Sequence, residues 1–112
     1  NSVGVQFKDL FENELKGKLR LVYNTGCEYG NAEDVQVWME MAKTYVAHKG
    51  DNFGAYYMPQ FIRRWFKGKL SVGEIVQQVN RKIINKKTEF FENGRNDPLG
   101  YVNGDASIKF KP

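Results

Sequence analysis

Apolar residues recur along this chain at two spacings, and the spacing divides it into elements. Over residues 5–16, Phe7, Leu10, Phe11 and Leu15 fall three and four apart with acids on the opposite side. That predicts a first helix, stopped by Gly17. Residues 18–23 (KLRLVY) alternate Leu19 and Leu21 with Lys18 and Arg20, a period of two that predicts a short strand. Residues 24–30 are loop by composition.

Asn31 can cap a second helix, with Glu33 and Asp34 in its first turn, where carboxylates favour the positive end of the helix dipole. Val35, Trp38, Met39, Ala42, Tyr45 and Val46 continue one wide apolar stripe, which predicts a deeply buried helix ended by Gly50. Residues 51–58 read as a connector. Pro59 suits the first position of a third helix, in which Phe61, Ile62, Trp65 and Phe66 oppose Arg63, Arg64 and Lys67 and which Gly68 ends. Ser71 and Glu74 form a capping box for a fourth helix, with Leu70 and Ile75 placed as its hydrophobic staple. Ile75, Val76, Val79 and Ile83 line one face of that helix. Phe90 stays on the same line if the helix continues, and Gly94 then stops it. Asn103-Gly104, between Tyr101-Val102 and Ile108-Lys109-Phe110, predicts a C-terminal hairpin. The tetrapeptide Lys-Gly-Lys-Leu occurs at 16–19 and again at 67–70, which ordinary helix endings explain more simply than duplication.

The fold class expected from this pattern is mainly α to α+β. It is a single small domain over residues 1–112, with about four helices and a minor β component from the 18–23 strand and the hairpin. The chain has 112 residues, enough for one core without covalent staples. Its aromatic fraction of 14% separates it from disordered sequences. A single cysteine, Cys27, excludes an internal disulfide and a zinc site built on cysteine pairs. No apolar run approaches the roughly 20 residues that span a bilayer, and no signal peptide is visible. The reading is therefore cytoplasmic. The start at Asn1 is that of a processed protein or of a domain cut from a longer one.

Charge changes the picture more than composition does. The formal net charge is +4, but residues 63–87 alone carry eight bases against one acid, Glu74, while the rest of the chain is slightly acidic. Such asymmetry points to a surface that prefers anionic partners. Arg63, Arg64, Lys67, Lys69, Arg81 and Lys82 are the candidate residues for contacting nucleic acid or another polyanion. Cations neutralise phosphates and release counterions, and neighbouring aromatics can stack on bases. Phe53, Tyr56 and Tyr57, in the connector beside the basic helix, are the candidate partner-binding aromatics.

Other chemistry is thinner. Residues 24–31 follow a strand and open a helix, where phosphate-cradling loops sit, but they match no phosphate-loop pattern and carry acids. Cys27 near a helix start can be activated, although Glu28, Glu33 and Asp34 oppose a thiolate. His48 is the only histidine and the natural general base of any acid–base reading, such as a small nuclease. No carboxylate cluster resembles a metal loop, and no cofactor is implied. The expected function is a small non-catalytic binding module that engages nucleic acid or an acidic protein surface. The alternatives are a protein-interaction domain (inhibitor, adaptor or assembly component) and, behind it, an enzyme using His48. Oligomeric state is left open.

Overall fold

The computed structural model describes residues 19–24, 30–50, 54–85 and 98–111. Within them the elements are β1 (Leu19–Tyr23), α1 (Ala32–Met39), β2 (Ala42–His48), α2 (Gly54–Lys67), α3 (Val72–Asn85) and β3 (Gly100–Gly104). The three strands form one mixed sheet in the order β1-β2-β3, with β1 parallel to β2 and β3 antiparallel to it. The predicted first helix (5–16) lies outside the described residues.

This architecture corrects the expected fold class. Among the described residues there are three helices around a three-stranded sheet, an α+β arrangement in which the sheet is central rather than minor. The predicted second helix (31–50) is in fact α1 followed by β2. The turn at Glu40-Met41 closes α1, with the Met41 N–H donating to the Trp38 carbonyl at 3.0 Å. Every residue of β2 except Lys43 is buried. A strand covered on both faces shows no alternation of polar and apolar positions, so the helical stripe runs on through it in the sequence. Thr44, Tyr45 and Val46 are residues that fit a pleated surface.

The C-terminal hairpin is also corrected. Only β3 forms, and it pairs with β2 rather than with residues 108–110. Asn103 and Gly104 end the strand instead of turning it. Gly104 has φ 89°, and a Cβ there would run into the Lys43 carbonyl oxygen. Gly104→Ala is expected to lower stability by about 1–3 kcal/mol, the usual range for a strained left-handed position. A denaturant titration checks it, and an unchanged midpoint would count against the strain.

The residues after β3 have a different job from pairing. The Ile108 and Ala106 carbonyls accept the Val72 and Gly73 N–H groups, both at 2.9 Å, and so satisfy donors that a helix start leaves open. The capping box forms as its sequence implies. The Ser71 N–H donates to Glu74 Oε1 at 3.0 Å and the Glu74 N–H to Ser71 Oγ at 3.2 Å. Hydrogen bonding from the Ser71 backbone N–H, and after it from the Ser71 side chain, holds the Glu74 carboxyl below its ordinary range. The stabilisation from the carboxylate half of the box is thus in place above the ordinary carboxylate range and is lost as pH falls through the lowered value, while the Glu74 N–H bond to Ser71 Oγ does not titrate. Helix α2 begins at Gly54, more than a turn before the predicted start at Pro59, because Tyr57 continues the buried line of Phe61 and Trp65.

Two apolar layers flank the sheet. On one face Val46 meets Tyr57, Phe61 and Trp65 of α2 and Val72, Ile75, Val76, Val79 and Ile83 of α3. On the other, Tyr45 and Ala47 meet Trp38 and Met41, with the Trp38 and Tyr45 rings stacked at 6.1 Å and 13°. Each fully buried large side chain contributes about 1.5–3 kcal/mol by leaving water. Helices α2 and α3 therefore lie side by side on one face, with their polar sides outward.

Candidate nucleic-acid interface

Burial of Tyr57, Phe61 and Trp65 fixes the rotation of α2 about its axis. That rotation turns Arg63 and Lys67 to solvent and sets Arg64, half-buried, on the flank towards α3. Gly68, at φ 73°, breaks the helix and sends Lys69 and Leu70 back across its end. The result is an open concavity of about 380 Å³ lined by Arg63, Arg64, Lys67, Lys69, Leu70 and Gln78. Among the described residues no carboxylate lines it.

The arginines are held in place by neutral groups. Arg64 donates from Nη1 to the Gln60 carbonyl and to Gln60 Oε1, both at 2.9 Å, and from Nε to Gln78 Oε1 at 3.2 Å. Arg63 Nη2 donates to the same Gln60 Oε1 at 2.8 Å. One amide oxygen thus gathers two guanidinium groups. The two Arg64 Nη2 N–H groups take no part in these bonds, and a guanidinium N–H of this kind donates well to a phosphate oxygen.

Four of the six basic residues singled out from the sequence come together here: Arg63, Arg64, Lys67 and Lys69. Arg81 and Lys82 are exposed on α3 but do not line the concavity. Lys82 lies one turn beyond Gln78, on the same side of its helix.

The aromatic candidates are placed differently from expectation. Tyr57 is wholly buried and belongs to the core, which corrects its reading as a surface residue. Tyr56 is half-buried and packs against the same cluster. Phe53 lies outside the described residues. Among the described residues the exposed aromatic rings are instead Phe66, at 55% exposure, and Phe110, at 38%. They meet edge to face with centroids 4.8 Å apart. Sequence reasoning put Phe66 on the core face of its helix. The available signal was the width of that face: Tyr57, Met58, Phe61, Ile62, Trp65 and Phe66 span more arc than one packing partner covers.

His48 is fully buried. Its Nδ1 donates to the Leu99 carbonyl at 2.9 Å, since a carbonyl can only accept. In the neutral ring that leaves Nε2 to accept the Tyr23 hydroxyl at 3.1 Å. Tyr57 packs against the ring edge to face at 4.7 Å. Burial pushes the hydroxyl pKa of both Tyr23 and Tyr57 well above the ordinary range, which keeps each a donor. These bonds and contacts make His48 a hydrogen-bonded member of the core, with no face open to a substrate. Tyr57 in turn donates to Asn80 Oδ1 at 2.8 Å.

Cys27 lies outside the described residues, as do 25–29 around it. The ends of that loop are anchored on β2: the Asn24 N–H donates to the Val46 carbonyl at 2.9 Å and the Gly30 N–H to the His48 carbonyl at 2.7 Å. Asn31 caps α1, accepting the Asp34 N–H at 3.0 Å, so an acid already occupies the positive end of that helix. Among the described residues no three His, Cys, Asp or Glu side chains come together as metal ligands. No helix among them is long and apolar enough to cross a membrane. No family model matches the sequence, and neither a curated protein nor a solved structure shows significant similarity to it.

Proposed function

We propose that this protein is a binding module whose α2–α3 surface engages a polyanion, nucleic acid foremost. One observation carries the reading: Arg63 and Arg64 share the Gln60 amide oxygen at the rim of a concavity that Lys67 and Lys69 also line and that, among the described residues, no acid lines. Like charges gathered this way repel one another, and an ordinary solvated face mixes signs. An incoming phosphate relieves the repulsion and finds donors already oriented.

The test is the salt dependence of binding. For a single strand the slope of log affinity against log salt is about 0.7 per phosphate neutralised, so Arg63→Ala with Arg64→Ala should flatten it by roughly 1.4. Fluorescence anisotropy at a series of salt concentrations measures this. Parent and variant lines of equal slope would remove the arginines from the interface.

A second reading has its own support. Met58, Ile62 and Phe66 are exposed and fall four residues apart along α2. An acidic protein surface with apolar residues at its centre would suit them. Polyglutamate that competes as well as nucleic acid would favour that partner.

A further inference from the structure

Phe66 lies on α2, the helix that also supplies three of the concavity's four cations, and Phe110 packs on Phe66; this combination narrows the polyanion. Phe66 is followed in sequence by Lys67 and lies one helical turn from Arg63. Phe110 sits between Lys109 and Lys111 in sequence, and its ring meets Trp65 at 5.9 Å as well as Phe66. The segment that carries it is fixed. Arg20 Nη2 donates to the Lys109 carbonyl at 2.5 Å and Nη1 to the Phe110 carbonyl at 3.4 Å. The side-chain stem of Lys111 lies against Gly68, where a Cβ would come within 3.0 Å of it. Two phenyl rings are therefore held at the surface with cations on either side, on a chain that had the apolar core available to bury them.

We infer that Phe66 and Phe110 form a base-stacking platform beside the phosphate-binding concavity, so that the ligand is a single-stranded nucleic acid. This rests on the polyanion reading above. A phenyl face offers nothing to a phosphate or to a heparin-like chain, but it stacks on any unpaired base. In a duplex the base faces are covered by their neighbours, so the platform has no role there. In an edge-to-face pair one ring keeps a face free, which is the surface a base takes.

The experiment uses the whole chain and three probes: a labelled oligothymidylate, a duplex of the same length, and inorganic polyphosphate as competitor. The parent should prefer the single strand to the duplex. Phe66→Ala with Phe110→Ala should weaken oligothymidylate binding by about fivefold to a hundredfold while leaving competition by polyphosphate unchanged. Phe66→Leu keeps an apolar side chain without the ring and should lose affinity in the same direction, which separates stacking from packing. Unchanged oligothymidylate binding in these variants, or a duplex bound as tightly as the single strand, overturns the platform and leaves the polyanion reading standing. Failure of the parent to bind either oligothymidylate or polyphosphate overturns both.

Discussion

Replacing Asn80 with leucine is expected to destabilise the protein by about 2–5 kcal/mol, although the two side chains are close in size. Asn80 Oδ1 accepts both the Tyr57 hydroxyl and the Gly100 N–H at 2.8 Å, and its Nδ2 donates to the Gly100 carbonyl at 2.9 Å. Gly100 opens β3 and is buried, and among the described strands β3 lies at the edge of the sheet. The amide thus meets the outer side of Gly100 as a further strand would, and at the same time it ties α2 to α3 through Tyr57. Leucine leaves at least the Tyr57 hydroxyl and the Gly100 N–H without these partners, at about 1–3 kcal/mol each. No side chain can come closer from the β3 side, because a Cβ at Gly100 would run into the Tyr57 hydroxyl. Urea titration with circular dichroism measures the loss. A shift below about 1 kcal/mol would mean that water or a rearranged neighbour takes over all three bonds.

His48→Ala should cost about 3–5 kcal/mol, through a different combination of terms. The side chain is among the largest that are fully buried, so its removal leaves a cavity as well as lost contacts. It also leaves the Tyr23 hydroxyl and the Leu99 carbonyl without the imidazole that joins them. Thermal and denaturant unfolding should both register the change. The opposite outcome is informative: a variant that keeps its stability and loses an activity would show that His48 works on a substrate and is not a core residue.

What the sequence made legible was mostly local. The Ser71–Glu74 box and the Asn31 cap are relations over three residues, and each side chain bonds where that spacing puts it. The buried face of α3, Ile75 to Ile83, follows from helical periodicity against a single partner layer. Strand β2 was hidden for the opposite reason. Being covered on both faces it lacks the period of two, and only its pairing with β1 and β3 makes it a strand. Tyr56 and Tyr57 are adjacent tyrosines in one segment, and only the rotation of α2 about its axis decides that the second is core.

The interface shows the same division. Its four cations could be picked out from the sign of the charge, but Gln60 and Gln78, which aim the guanidinium groups, are neutral and carry no such signal. The pairing of Phe110 with Phe66 joins residues from opposite ends of the described fold's second half, so no sequence window contains it.

The order of the sheet also governs how the chain comes together. Strand β2 meets β1 across a connection that holds α1, but its other edge waits for β3: Thr44 pairs with Gly104, roughly sixty residues further along. Loop closure over that distance comes late, after the local helices have formed. Until then the most apolar strand presents a row of open N–H and C=O groups, and Lys43 is its one exposed residue and its only charge deterring a neighbouring chain. The exposure of this most apolar edge is therefore confined to an interval of folding and ends when β3 docks on it.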